Sequence, residues 1–117
     1  TFVGLFHGDI KSAKTDTGYV SENGFDASYF KGVDFCLCGH IHKRQEIKYN
    51  GIPLVYAGSL IQQSFGEDIT KHGFLLWDVE EQTYEEVNIP NDDDGYYTFT
   101  INNEEDIEED KEEILNL

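Results

Sequence analysis

Three of the four histidines lie at the ends of predicted strands, where imidazoles could bind metal ions. His40 and His42 follow an apolar stretch over residues 33–38. In extended backbone, residues i and i+2 point to the same face, about 6.5 Å apart. Two imidazoles placed in this way could each bind one ion of a metal pair about 3.5–4 Å apart. Ile41 is then expected to point into the core, and Gly39 to allow a tight turn.

His7 ends the first predicted strand, 33 residues before His40. Strand, loop, helix and strand in this order are the parts of a right-handed crossover, and ligands of parallel sheets gather at the carboxyl ends of strands. We therefore expect His7 to lie near the other two. A single histidine more often has an ordinary surface or hydrogen-bonding role. We assign that role to His72, which lies in a polar loop.

The elements that must position these residues are mainly strands. The sequence Asn50-Gly51 is the strongest short hairpin signal, and it separates two β-prone stretches. Asp26 can cap a short helix that Gly32 ends. The predicted strands cover residues 1–6, 33–38, 45–49, 52–57, 73–79, 83–89 and 96–101. Residues 58–72 form a loop, and a terminal helix runs through Leu117.

Composition indicates a globular chain with an unusual charge. Apolar residues make up 38% and aromatic residues 14% of the 117 residues, enough for one modest core. The net charge of −16 opposes close approach to DNA or anionic membranes and favours cation binding or protein binding. Residues 92–94 and 104–113 hold 11 of the 24 acidic residues. This acidic segment is most simply a solvated helix face or a linker, and a docking site for a partner is the alternative.

Cys36 and Cys38 are too close in sequence for an ordinary disulfide, and no second cysteine pair exists to complete a zinc site. They are predicted to be buried, reduced thiols of a cytoplasmic protein. No stretch has membrane-spanning length and no signal peptide is visible, so no membrane partner is expected. The chain opens inside a predicted strand without Met, so we expect it to be a fragment.

Three segments together resemble the later motifs of calcineurin-like metallophosphoesterases, in particular the DNA-repair exonucleases of the Mre11/SbcD type. They are Phe6-His7-Gly8, Gly39-His40-Ile41-His42 and the loop sequence from Tyr56 to Glu67. The resemblance covers residues 1–90 and implies the C-terminal part of an α/β catalytic domain, a strand-rich β-sandwich flanked by helices. Residues 91–117 would be an acidic strand and helix leading to a following domain or linker.

The resemblance also implies a set of metal ligands. His7 and His40 would bind one ion and His42 the other, in a pair of divalent ions that is usually manganese. In this family the two ions activate a water or hydroxide that attacks phosphorus and stabilise the added charge. The reaction expected of the full-length parent is therefore metal-dependent hydrolysis of DNA phosphodiesters.

A second group of residues is expected near the substrate. The resemblance places Gly58, Ser59 and Gln62 on the substrate side of the site. Lys43 and Arg44, directly after His42, are candidate phosphate contacts, although a role in surface solubility is an equal alternative.

The family's earlier motifs, Asp-x-His, Gly-Asp-x-x-Asp and Gly-Asn-His-Asp/Glu, do not occur in these 117 residues. The chain is therefore expected to bring half of the metal site and to be inactive alone. The resemblance implies that the parent works with an ABC-type ATPase of the Rad50 or SbcC kind, and a homodimer is left open. Two alternatives remain: a phosphoesterase for another substrate, or a metal-free scaffold of the same fold that binds proteins.

Overall fold

The computed structural model describes residues 1–90, 95–96 and 100–105. The elements with defined ends are the strands β1 Val3–His7, β2 Phe35–Gly39, β3 Gln45–Tyr49, β4 Ile52–Tyr56, β5 Gly73–Asp78 and β6 Thr83–Asn88, and a 3-10 helix at Ala27–Phe30. The predicted strand-rich character is confirmed. Beyond this one helical turn, the described ranges show no helix packed on a sheet.

The main sheet has the strand order β1-β2-β4-β3. β1, β2 and β4 are parallel, and β3 is antiparallel to β4. The parallel pairing of β1 with β2 confirms the crossover that the sequence predicts. Its register places His7 opposite Gly39, so the carboxyl ends of both strands lie level at one edge of the sheet.

The hairpin between β3 and β4 turns at the predicted position. Asn50 and Gly51 have φ angles of 48° and 80°, both left-handed. A two-residue turn of this kind matches the twist of the flanking strands, which is why Asn-Gly favours it. The short helix is also confirmed, since the side chain of Asp26 accepts a hydrogen bond from the backbone of Ser28.

The core lies on the two central strands. Phe35 and Cys36 of β2 and Leu54 and Tyr56 of β4 are fully buried. Strands covered on both faces need apolar side chains at consecutive positions, which is the pattern that the sequence shows. The prediction of buried thiols is confirmed, because Cys36 and Cys38 are free and buried, with their sulfurs 3.8 Å apart.

The prediction that β1 is buried is wrong for one of its faces. Leu5 is 80% exposed, and Val3 and His7 on the same face are also exposed. Phe6 on the other face packs edge-on against Phe25 and Phe30, with centroid distances of 5.4 and 5.1 Å. Among the described residues, only the face of β1 that carries Phe6 meets the core.

β5 and β6 form a separate antiparallel pair. Trp77 of β5 stacks on Phe35 of the main sheet, with ring centroids 4.4 Å apart and 7° between the planes. This contact confirms that Trp77 is a packing residue, as the sequence predicts, and it joins the two sheets.

Some of the predicted elements fall beyond this part of the chain. The strand over residues 96–101, the terminal helix through Leu117 and most of the acidic segment lie mainly outside the described residues. Within the described ranges, no helix combines the length and apolar character needed to cross a bilayer.

Candidate metal centre

His7 and His40 converge at the carboxyl edge of the main sheet. Their ring centroids are 5.3 Å apart, with an angle of 66° between the planes. Gly39 allows this approach, because a Cβ at that position would lie only 3.3 Å from Nδ1 of His7. The sequence prediction that these two histidines meet is therefore confirmed.

The turn after β2 differs from the prediction. The left-handed residue is His40, with φ of 99°, and not Gly39. The segment from Gly39 to His42 is therefore bent rather than extended. Ile41 is still buried, and His40 and His42 still line one cleft. A left-handed conformation in a non-glycine residue costs about 1–2 kcal/mol, which the surrounding contacts must offset.

The cleft beside these histidines has a volume of about 310 Å³, and its lining includes three carboxylates. Nε2 of His40 lies 3.4 Å from Oδ1 of Asp9. Burial, and then the negative charge of Glu67, raise the pKa of the Asp16 carboxyl. Imidazole nitrogens and carboxylate oxygens are the donors that divalent transition metals accept in proteins. The cleft therefore contains side-chain types that can bind a cation.

His42 is contacted by Glu67, 25 residues later in the chain. Nδ1 of His42 lies 3.5 Å from Oε2 of Glu67, and the hydroxyls of Ser59 and Ser64 each donate to the carboxylate at 3.2 Å. Burial acts to raise the pKa of Glu67. Hydrogen bonds from the Gln63 backbone, Ser64 and His42 outweigh it, so the pKa lies below its usual value. The carboxylate is therefore ionised at neutral pH.

The loop over residues 58–72 packs directly on the backbone of His42. The amide of Ser59 donates to the carbonyl of His42 at 3.1 Å. Gly58 has φ of 80°, and a Cβ there would lie 2.7 Å from the same carbonyl oxygen. His72 is buried behind this loop, with Nδ1 3.0 Å from the Ser59 hydroxyl and Nε2 facing the carbonyl of Asp68. His72 thus has the ordinary hydrogen-bonding role that was expected, in the interior.

The side chains of Gln62 and Arg44 both form hydrogen bonds with other parts of the protein. The amide of Gln62 is buried, donates to the carbonyl of Glu67 at 2.9 Å and accepts from the amide of Tyr96 at 2.6 Å. The side chain of Arg44 is 6% exposed, and its Nη1 donates to Oδ1 of Asn88 at 2.6 Å. In this arrangement both side chains hold protein segments together.

Lys43 is placed differently. It is half-buried and, together with His42 and Lys71, lines a smaller cavity of about 90 Å³. Lys43 also lies near Asp16, on whose carboxyl its positive charge acts. Of the two candidate phosphate contacts, Lys43 is therefore the one that faces this cavity rather than bridging protein segments.

Tyr56 anchors the segment that follows His7. Its hydroxyl donates to the carbonyl of Gly8 at 2.7 Å and accepts from the amide of Ile10 at 3.0 Å. Burial raises the pKa of Tyr56 to about 12. Sequence reasoning missed this role, as it missed those of Asp16 and Glu67. For Tyr56 and Glu67 the sequence did offer a signal, since both lie in the third segment that resembles the metallophosphoesterase family. For Asp16 it offered none.

The described residues bring candidate metal ligands together in pairs. They contain no group of three or more His, Cys, Asp and Glu side chains arranged to hold one ion. The pairs that do form, His7 with His40 and His40 with Asp9, bring two donors each to one edge of the sheet. A metal ion at this edge would need further ligands from residues outside the described ranges.

The chain matches no protein-family model. It is similar to an uncharacterized protein of Acanthamoeba polyphaga mimivirus, with 41% identity over 100 residues. The match covers 85% of this chain and 7% of that protein, so the chain spans a small part of the curated relative's length.

Proposed function

We propose that this chain forms the imidazole side of a dinuclear metal centre in a metallophosphoesterase of the Mre11/SbcD exonuclease type. The observation that carries the proposal is the convergence of His7 and His40, from the ends of two neighbouring parallel strands, 5.3 Å apart. The bent segment after β2 adds His42 to the same cleft as His40. Few structural roles would require imidazoles from two strand ends at one sheet edge.

In this proposal His7 and His40 bind one ion and His42 binds the other. The two ions, manganese by family resemblance, would activate a water for attack on phosphorus and neutralise the added charge. The residues of this chain hold the imidazoles in place and add negative charge near the cations. Asp9, 3.4 Å from His40, and Asp16, in the same cleft, supply that charge.

The acidic chain can still accept DNA at this edge. Two divalent cations would offset the cleft's carboxylates, and Lys43 and Lys71 line the adjoining cavity next to His42. This places positive charge on one side of the metals, where a neighbouring phosphate of the substrate would lie. Gly58 and Ser59 then act on the site through the backbone of His42, and Gln62 acts through Glu67.

The same proposal includes features of the parent protein. Its catalytic domain would be an α/β sandwich whose flanking helices and carboxylate ligands are supplied by other residues. It would be cytoplasmic and would work on DNA with an ABC-type ATPase of the Rad50 or SbcC kind.

The decisive test is manganese-dependent cleavage of linear DNA by the natural full-length protein. The variant His42→Ala is expected to lose at least about 100-fold in rate, because a metal ligand is removed. Lys48→Ala, on the exposed side of β3, is the control and should cleave like the unaltered protein. Equal cleavage by His42→Ala and the control would overturn the ligand assignment.

A second substrate separates the alternatives. Bis(p-nitrophenyl) phosphate is a small phosphodiester that needs the metal centre but not the DNA-binding surface. Cleavage of this compound without cleavage of DNA would contradict the nuclease proposal and favour another phosphoester substrate. Cleavage of neither, by a folded protein supplied with manganese, would favour the metal-free scaffold.

A further inference from the structure

We infer that Glu67 is a positioning residue that fixes which nitrogen of His42 binds metal: it accepts the hydrogen on Nδ1 and leaves the lone pair on Nε2. This inference rests on the proposed role of His42 as a ligand. It assigns a function to a buried acid that lies outside the predicted ligand set.

Glu67 is the rigid member of the pair. It is 7% exposed, whereas the side chain of His42 is about half exposed. The hydroxyls of Ser59 and Ser64 hold the two carboxylate oxygens, each at 3.2 Å. The backbone of Glu67 is held as well, since Gln62 donates to its carbonyl and its own amide donates to the carbonyl of Ser64. The acid is therefore fixed before any ligand binds, and the imidazole orients against it.

The direction of the hydrogen bond follows from the contacts of the acid. Both oxygens of Glu67 accept from serine hydroxyls, and a carboxylate has only acceptor sites, so the hydrogen between Glu67 and His42 belongs to Nδ1. A neutral imidazole carries one N–H, so Nε2 keeps its lone pair. The histidine side chain in water prefers the opposite tautomer, with the hydrogen on Nε2. In that tautomer Nε2 has no free lone pair and cannot bind a metal. Glu67 thus selects a tautomer that His42 would otherwise populate less.

The arrangement has a known physical benefit at metal sites. A carboxylate on the far nitrogen of a ligating histidine fixes the ring and raises its basicity, and its loss typically weakens metal binding by about 10–100-fold. The side chain of His42 is about half exposed, so few other protein contacts fix the orientation of its ring.

The tautomer can be measured directly in the metal-free chain. Long-range ¹H–¹⁵N correlation spectra of the labelled protein at about pH 8 distinguish Nδ1–H from Nε2–H. The unaltered chain should show His42 with its hydrogen on Nδ1. In Glu67→Ala the Nε2–H form should become the major one, while Glu22→Ala, which removes an exposed acid, should change nothing. An Nε2–H tautomer in the unaltered chain overturns the inference, even if Glu67→Ala fails to fold.

A titration of the natural full-length protein with Zn²⁺ alone, in which the remaining ligands are present, separates this inference from the proposed function. Zn²⁺ is diamagnetic, so the ¹⁵N shift of Nε2 in His42 reports binding, and Glu67→Ala should need about 10–100-fold more metal for the same shift. Equal metal dependence in both chains overturns the positioning role. An Nδ1–H tautomer with no response of His42 to Zn²⁺ would support the selection of the tautomer by Glu67 and overturn the metal assignment of His42.

Discussion

Replacing Tyr56 by Phe tests whether the segment after His7 is held in place from the core. The substitution removes one oxygen atom and keeps the buried ring. The hydroxyl bridges two backbone groups, the carbonyl of Gly8 and the amide of Ile10, at 2.7 and 3.0 Å. In the variant both groups lose this partner, while Ile10 is fully buried and Gly8 is half-buried.

The expected cost follows from these two groups. A buried donor or acceptor left unsatisfied costs about 1–3 kcal/mol, and the half-buried carbonyl recovers part of this from water. Together they give a loss of about 2–3 kcal/mol in the free energy of unfolding. For a chain of this size that is a fall in melting temperature of about 10 °C.

Urea unfolding followed by the fluorescence of Trp77 measures this loss. Trp77 is the single tryptophan and stacks on Phe35, so its emission reports the packing of the two sheets. Tyr29→Phe is the matched control, because its hydroxyl lies on a 76% exposed side chain and its removal should change stability by less than about 0.5 kcal/mol. If Tyr56→Phe is as stable as this control, the backbone of residues 8–10 is satisfied by other means and the anchoring role of Tyr56 is wrong.

Two further predictions concern the same framework. Gly58 and Gly51 both have φ of 80°, but only at Gly58 would a Cβ approach other backbone, 2.7 Å from a carbonyl oxygen. Gly51→Ala should therefore cost about 1 kcal/mol in urea unfolding and Gly58→Ala at least about 2 kcal/mol more, and equal losses would refute the close approach. The pKa of Tyr56 is about 12 in the folded chain and about 10 in the unfolded chain, because burial disfavours the ionised phenolate. The resulting contribution to the free energy of unfolding is fully present below pH 10 and is lost as the pH rises through 12. The stability difference between the unaltered chain and Tyr56→Phe should shrink by about 2–3 kcal/mol over that range, and a constant difference would contradict it.

The sequence predicted the parts of the fold that depend on local pattern. β2 and β4 are central strands, and their consecutive apolar residues predict burial on both faces. Asn50 and Gly51 carry their own turn preference, so the hairpin was placed to within a residue. The meeting of His7 and His40 was also predictable, because a parallel crossover brings two strand ends to one edge.

The features that the sequence did not predict depend on contacts between residues far apart in the chain. The apolar residues of β1 follow the same pattern as those of a central strand. Only the folded structure shows that Leu5 is exposed. The left-handed residue of the turn is His40, although a glycine precedes it. Gly39 instead leaves room for the ring of His7. The contact between Glu67 and His42 spans 25 residues of loop, over which no periodicity operates.

The contacts of the 58–72 loop bear on the choice between a metal site and a metal-free scaffold. Gly58 and Ser59 hold the carbonyl of His42, and Glu67 faces its ring, so one short segment controls both the backbone and the side chain of a single residue. Burying an ionised carboxylate is unfavourable unless several donors surround it, as they do here. A protein-binding surface would have no need of that carboxylate behind a half-exposed imidazole, whereas a metal site needs the nitrogen on the other side of the ring to be free of hydrogen. The position of Glu67 therefore supports the proposed metal site.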